Sequence, residues 1–530
     1  MTRRKFLTAG AACLSTGSSF LWADAARGQP TSSRELRLGL SGEPTSADPH
    51  FAALTPNVAL AQHLFDALIH VDADGAFIPA LATSWRAVDP VTWEIKLRPD
   101  VRFHDGSVLT MDDVLFSLQR PGRALNSPAP LTTFSRQVAS TQVVDPLTLL
   151  MKTREPYGGL PGDLTSLFIV SRAAAENAQP ADFDSGKAAV GTGPFRLRSF
   201  VKGKSVTLVR HDTYWAVPAP WTTVNMLFLP DEKQRTAALA AGQVDAIEGV
   251  PAAEVAALKG RPGFRLVQRT SWRTIFLHIE QFTDRSPWLA DNAGQPMKDS
   301  PLKDRRVRHA MSLAIDRVAM VQNLMPGLAE PAGQLIAPGV LGYSKVLKPE
   351  APDLSAARRL LSEAGHPDGF MLTLHAPKNR YVCDEQVAQW VAQQWSKIGL
   401  RTKVETMSAA DYFPRARRGE FSVAMLGYGS LAGDFALRAL LGTPDGPKGW
   451  GTWNWSKYSS NRVDALIRDS LRNPDVARRQ QLAAQAMEIA MGEHAVVPLH
   501  HQFASWAMRS GLTYVGRLDE FTLASQFRPA

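Results

Sequence analysis

The sequence predicts a mixed α/β protein in which helices pack on sheets. Two patterns carry that reading: short runs in which apolar and polar residues alternate, and longer runs with apolar residues every three or four places. In chain order, the alternating runs are 36–40 (LRLGL), 93–97 (WEIKL), 206–210 (VTLVR) and 401–405 (RTKVE). Each fits a half-buried strand, whose side chains point alternately to two faces. A helix is predicted over 305–318, with Val307, Ala310, Met311, Ala314, Ile315 and Val318 in one stripe. Another starts at Asp353, follows Ala357, Leu360 and Leu361, and ends at Gly365. A further helix takes Asp384 as its N-cap, runs through Val387, Trp390, Val391, Trp395 and Ile398, and stops at Gly399. No repeat of solenoid period and no low-complexity tract interrupts this alternation.

At roughly 150 residues per domain, the 530 residues make about two to four domains. Hydrophobic residues at 45% and charged residues at 21% exclude a disordered, collagen-like or coiled-coil chain. Beyond the first 25 residues no apolar run is long enough to span a bilayer. The 59 basic and 50 acidic residues leave a net charge of +9, and about +7 once the leader is set aside. Its densest basic group, Lys303, Arg305, Arg306 and Arg308, is interleaved with Asp299 and Asp304. That group reads as a solvated helix face, and no nucleic-acid partner is expected.

The leader, residues 1–25, opens TRRKFLTAGAACL. Arg3 and Arg4, followed by Lys5, Phe6 and Leu7, are similar to a twin-arginine export signal, and Ala23-Asp24-Ala25 offers a cleavage site. An ordinary secretory leader is the alternative, and either places the mature chain outside the cytoplasm. Cys13 falls in the leader, so Cys383 is the single mature thiol and no internal disulfide forms. Lipidation of Cys13 is not expected, because Gly10 stands where bacterial lipoprotein signals place Leu.

No catalytic constellation is present: HExxH, CxxC, G-x-S-x-G and Walker-type loops are all missing. His500 and His501 are the best metal candidates, but neighbours in a strand face opposite ways, and His494 has no acidic or thiol partner at ligand spacing. No metal or cofactor is expected. Gly427, Gly429 and Gly433 miss the GxGxxG spacing by one and read as a turn, and Asp112-Asp113 reads as dipole compensation at a helix start. Phe435, Trp450, Trp453 and Trp455 crowd the stretch from Tyr428 to Tyr458. Aromatic rings on glycine-rich loops either wall a small-ligand site or pin a long loop to the core. The segment Gly191-Thr192-Gly193-Pro194-Phe195 reads as the place where the chain crosses between lobes, or as a plain turn.

Residues 80–120, ALATSWRAVDPVTWEIKLRPDVRFHDGSVLTMDDVLFSLQR, resemble the signature region of the extracytoplasmic solute-binding proteins of family 5, the peptide, nickel and opine receptors of ABC importers. GTGPFRL at 191–197, RHDTYW at 210–215, GQVDAIEGVP at 242–251, DRRVRHAMSLAIDR at 304–317 and PLHHQFASWA at 498–507 extend the likeness over most of the chain. The resemblance implies a two-lobed periplasmic-binding-protein clamp of type II, in its large three-domain variant. Domain I would comprise 26–78, 191–272 and 498–530, the inserted domain 79–190, and the second lobe 273–497. It further implies a periplasmic, monomeric receptor that closes on a short peptide or peptide-like molecule and hands it to an inner-membrane permease with its ATPase subunits.

By the same resemblance the ligand loops are 51–55, 379–381 and 427–431, which makes Ala53, Thr55, Arg380, Tyr381, Tyr428 and Ser430 candidate contacts, with Arg273 and Trp453 beside them. Peptide receptors of the family carry Trp and, three residues on, an amine-binding Asp where this chain has Tyr428 and Leu431. The departure disfavours a free α-amine as the recognised group unless Asp434 substitutes. Arg273 and Arg380 are fitted to clamp a carboxylate or phosphate, and a surface salt bridge is the competing reading for each. An opine-like or other organic anion stays open as the ligand. From other classes, a secreted hydrolase or an extracytoplasmic chaperone or adhesin is the rival.

Overall fold

The structure, a computed structural model, describes residues 34–123, 127 and 129–530. The leader reading, with Arg3, Arg4 and Cys13, lies outside the described residues. A twelve-stranded sheet forms the backbone of the molecule. Its order is Leu289–Ala290, Met371–Lys378, Val423–Tyr428, Phe264–Ile279, Val496–Arg509, Ala246–Glu248, Glu35–Leu40, Thr223–Phe228, Ser205–Arg210 and Phe195–Val201. Arg401–Ser408 lies parallel to Met371–Lys378, and Ala329–Pro331 pairs with Val496–Arg509.

Phe264–Ile279 and Val496–Arg509, 16 and 14 residues long, run antiparallel through both halves of this sheet. Each serves one half at one end. Thr274–Ile279 pairs with Val423–Tyr428, while Trp506–Met508 pairs with Ala246–Glu248. Between the two ends the ladder slips: Thr270 opposes Phe503 and Thr274 opposes His501, so Ser271, Trp272 and Arg273 face Gln502 alone. Such a bulge bends a strand and re-aims its side chains.

A separate four-stranded antiparallel sheet, in the order Ala82–Asp89, Thr92–Leu97, Thr148–Thr153, Val138–Asp145, buries Ile95, Leu149 and Met151. Helix Met111–Gln119 adds Val114 and Leu118 to the same core. Asp113 starts that helix by accepting from Thr110 N and Oγ1 at 2.9 and 2.7 Å, a capping box rather than dipole compensation alone.

The alternating runs are all strands. Two helix readings need correction. The stripe over 305–318 breaks into Arg305–Leu313 and Arg317–Leu324, because Asp316 accepts from Ala319 N at 2.9 Å and caps a new helix. Asp384 is not an N-cap: Cys383, at φ 53°, precedes helix Asp384–Ser396, and the Asp384 carboxylate instead accepts from the backbone N of Asn379, Arg380 and Tyr381. The helix from Asp353 forms as Leu354–Glu363, with Asp353 accepting from Ala356 N. The basic face is also not uniformly solvated: Arg308 is buried and donates to the carbonyls of Leu302, Lys303, Glu493 and His494.

Gly191–Phe195 is a buried clasp that returns the chain to the large sheet. Gly193 N donates to Leu64 O at 3.1 Å, His104 N to Gly191 O at 2.8 Å, and Thr192 Oγ1 to Asp66 at 2.8 Å. Among the described residues no helix is long and apolar enough to cross a membrane.

Candidate functional site

The bulge builds the first part of the site. Ser271 Oγ donates to Gln502 O and Glu520 Oε1, both at 2.8 Å, and Trp272 N donates to Leu518 O at 2.9 Å. These bonds fix Arg273, whose Nη2 lies 2.6 Å from Glu520 Oε2. Both partners are largely buried. The Arg273 charge therefore holds the Glu520 carboxyl below its ordinary range, against the opposing effect of burial. Arg273 is thus ion-paired, and the pair lies inside the molecule, not on its surface as the competing reading had it.

The second part is the Asn379–Cys383 loop, which the Asp384 carboxylate gathers at its start. Asn379 and Cys383 take left-handed φ values of 57° and 53°. Tyr381 turns inward and donates its hydroxyl to Gly427 O at 3.2 Å. Arg380 stands 5.1 Å over the Tyr381 ring. It keeps an open surface yet is crowded by protein, as a side chain on a crevice wall is; that crowding, then the Arg273 charge, lowers its pKa. Glu520 is ion-paired to Arg273 alone; Arg380 feels the charges of Glu520 and Asp384 but has no salt-bridge partner among the described residues.

Strand Val423–Tyr428 is the floor, and its glycines are there for rings. A Cβ on Gly427 would lie 2.5 Å from the Tyr381 ring, and one on Gly429 2.5 Å from the Trp272 ring. The G-x-G that reads as a turn in sequence is a slot for two aromatics. Beside it, Tyr428 meets Trp453 with ring centroids 6.2 Å apart, and Trp453 meets Trp455 at 5.8 Å and Phe413 at 6.4 Å. Of the aromatic stretch, Trp455 and Tyr458 are core residues, while Tyr428 and Trp453 stay half-exposed.

The structure therefore brings Arg273, Arg380, Tyr381, Tyr428 and Trp453 to one neighbourhood. Ser430 contributes less, because its hydroxyl is engaged with the backbone of Ala432. Ala53 and Thr55 are half-buried at the head of helix Thr55–Leu64, where Ala53 N donates to Ala129 O at 2.8 Å, and no described contact joins them to the others. Asp434 does not replace the missing carboxylate: it is fully buried and held by Arg479 at 2.8 Å. His501 bonds Thr274 through Nδ1 at 2.8 Å, whereas His500 lies in the core with no partner among the described residues for either ring nitrogen.

Sequence reasoning missed Arg438. It is buried on helix Gly433–Leu440, 4.7 Å over the Phe435 ring, and its Nε meets no acceptor among the described residues. Its charge reaches Tyr428, whose phenol burial pushes up to about 12 while Arg438 pulls it down. Nearby, Tyr157 donates to Asp163 at 2.8 Å, and burial raises the Asp163 carboxyl to about 7. The helix pattern alone puts Arg438 on a polar face; in the structure it is buried, and its charge acts on Asp163, remote in sequence. Two surface hollows, one of about 500 Å³ over Pro287–Ala290 and one beside Trp390, contain none of these residues.

A large sheet threaded by two paired long strands, with arginine and aromatic side chains gathered at their bulge, is the architecture of a clamp-type binding protein. The chain belongs to the bacterial extracellular solute-binding proteins, family 5, whose middle-region model matches residues 76–442. It is 27% identical over 466 residues to the glutathione-binding protein GsiB of Salmonella paratyphi A, covering 86% of each chain. It is 26% identical over 477 residues to heme-binding protein A of Haemophilus influenzae, covering 84% of this chain and 82% of that one. Its fold matches the periplasmic binding protein DppA of Helicobacter pylori in complex with the peptide STSA, with TM-score 0.78, 22% identity, and coverage of 94% of this chain and 98% of that one. AgaA from A. tumefaciens R10, in complex with agropinic acid, matches with TM-score 0.73 and 24% identity over 94% of this chain and 99% of that one.

Proposed function

We propose that this chain is the exported, non-catalytic receptor of an ABC importer, and that it captures a small peptide-like or opine-like solute carrying an acidic group. The observation that carries the reading is Arg380 itself: an open-surfaced guanidinium with no salt-bridge partner among the described residues, beside the closed Arg273–Glu520 ion pair, while Asp384 is engaged by backbone amides. Arg380, with open surface, is the group that meets the solute's carboxylate; Arg273 and Tyr381 position it. Tyr428 and Trp453 supply the flat apolar surface, and Ser430 lies at its edge. Ala53 and Thr55 enter only as a first-lobe contribution reached through the ligand. The glutathione and agropinic acid of the relatives' names are both acidic, in keeping with this chemistry.

In this reading 26–78, 191–272 and 498–530 form one lobe, 79–190 the insert and 273–497 the other lobe. The leader directs the chain to the periplasm by the twin-arginine route, and the monomer delivers its cargo to the membrane permease without cofactor or metal in the crevice. Closure is favoured only by a ligand that touches both walls. Mass spectrometry of solute released from the purified protein, followed by calorimetry with that solute, is the test. Arg380→Ala is expected to weaken binding at least about ten-fold, or about 1.4 kcal/mol. Unchanged affinity would remove Arg380 from the site.

A further inference from the structure

Three potential metal ligands converge in the second half of the molecule, away from the crevice. His309 lies on helix Arg305–Leu313, His494 in the turn after helix Val476–Gly492 at φ 50°, and Glu350 in the segment before helix Leu354–Glu363. One donor atom from each lies within 4.8 Å of the other two. His309 Nε2 is 3.3 Å from Glu350 Oε1, and the two imidazoles are stacked, with centroids 4.1 Å and planes 16° apart, so one ring turns about its Cβ–Cγ bond for both in-plane nitrogens to meet one ion. Two donors at about 2.0–2.1 Å from one ion in tetrahedral geometry stand roughly 3.3 Å apart, so the His309–Glu350 pair already has ligand spacing. No described contact links any of the three to the crevice residues.

We propose that His309, Glu350 and His494 bind a borderline transition-metal dication, Zn²⁺ foremost, with a fourth position open to water. The donor set is chemically apt, since two imidazoles and a carboxylate suit Zn²⁺ far better than Mg²⁺ or Ca²⁺, which take oxygen ligands. The carboxylate is held from behind, as metal-ligating carboxylates are. Ser312 Oγ donates to Glu350 Oε2 at 2.5 Å and accepts from Arg317 Nη2 at 2.8 Å, which leaves Oε1 facing His309. Arg305 and Arg308 oppose a cation here by their charge. Arg308 directs its donors to the carbonyls of Leu302, Lys303, Glu493 and His494, one of them belonging to a ligand residue, so it braces the turn that carries His494. An ion at this point would tie three segments remote in sequence and stabilise the second half of the molecule without entering the solute crevice.

The test is titration of the metal-stripped full chain with ZnCl₂ by calorimetry, with melting temperature as a second readout. Wild type is expected to take up one equivalent and to melt higher with the metal. His309→Ala and His494→Asn are each expected to bind at least about ten-fold more weakly and to lose the thermal shift. Asn tolerates the left-handed backbone of position 494, and the melting temperature without metal reports whether each variant is folded. Absence of saturable uptake by wild type would overturn the site. Saturable uptake that both folded variants keep at full affinity would overturn it too.

Discussion

Asp434 and Arg479 show how little freedom a buried charge has. Asp434 accepts from Arg479 Nε and Nη2 at 2.9 and 3.0 Å and from Ser470 Oγ at 3.1 Å, and Arg479 also donates to Gly158 O. Asp434→Ala strands a buried guanidinium and is expected to cost about 3–5 kcal/mol, measured by chemical denaturation. A cost under about 1 kcal/mol would mean that water reaches Arg479. Arg438, on the same helix, has no such partner, which makes it the more responsive residue: Arg438→Met should leave stability within about 1 kcal/mol or raise it. The same variant should alter solute affinity if the crevice extends past Tyr428. Neither arginine was legible in the sequence. Both sit on helices with an ordinary polar face, and their partners are remote in sequence: Gly158, 321 residues away, accepts from Arg479, and Arg438 acts by charge on Asp163.

Strands and helices follow local pattern more closely than sites do. The alternating runs became strands because one face of each meets a core, as Leu36, Leu38, Ile95, Val206 and Leu208 do. The 305–318 stripe misled because Ala314 and Ile315 are buried at the break, so the apolar pattern continues while the backbone does not. The break was marked by Asp316, a good N-cap followed by a second apolar turn. Asp316→Ala should cost about 1 kcal/mol by thermal denaturation; no change would mean that packing alone fixes the second helix. The bulge at Ser271–Arg273 left no sequence signal. Its cause is a long-range register mismatch with Gln502, and with it came the placement of Trp272 and Arg273.

The molecule as a whole is built on neutral buried histidines, and this sets its acid limit. Burial lowers His50 and His63 to about 4, and His278 and His500 to about 3, from an ordinary value of 6.5. Between about pH 6.5 and pH 4 each is neutral when folded and charged when unfolded, so unfolding takes up protons. Stability is therefore present above pH 6.5 and lost as pH falls, by up to about 1.4 kcal/mol per pH unit for each histidine. Asp163 acts in the opposite direction: raised to about 7, it binds a proton when folded that the unfolded chain has released. Its share of stability falls as pH rises from about 4 to 7, and it offsets one of the four histidines. Calorimetric melting from pH 7 to pH 4 should show a steep decline; a flat profile would show these rings to be hydrated.

The slip between Thr270 and Thr274 also governs how the molecule can move. Outside it and a second, smaller slip at Ile275–Phe276, the two long strands hold each other rung by rung, so neither can slide along its neighbour without breaking the ladder. The larger slip is where the ladder is thinnest, like a leaf spring filed at one point, and Arg273 and Glu520 sit there. On the proposed reading, a solute settling against Arg380 presses on the part of the spring where the least force does the most.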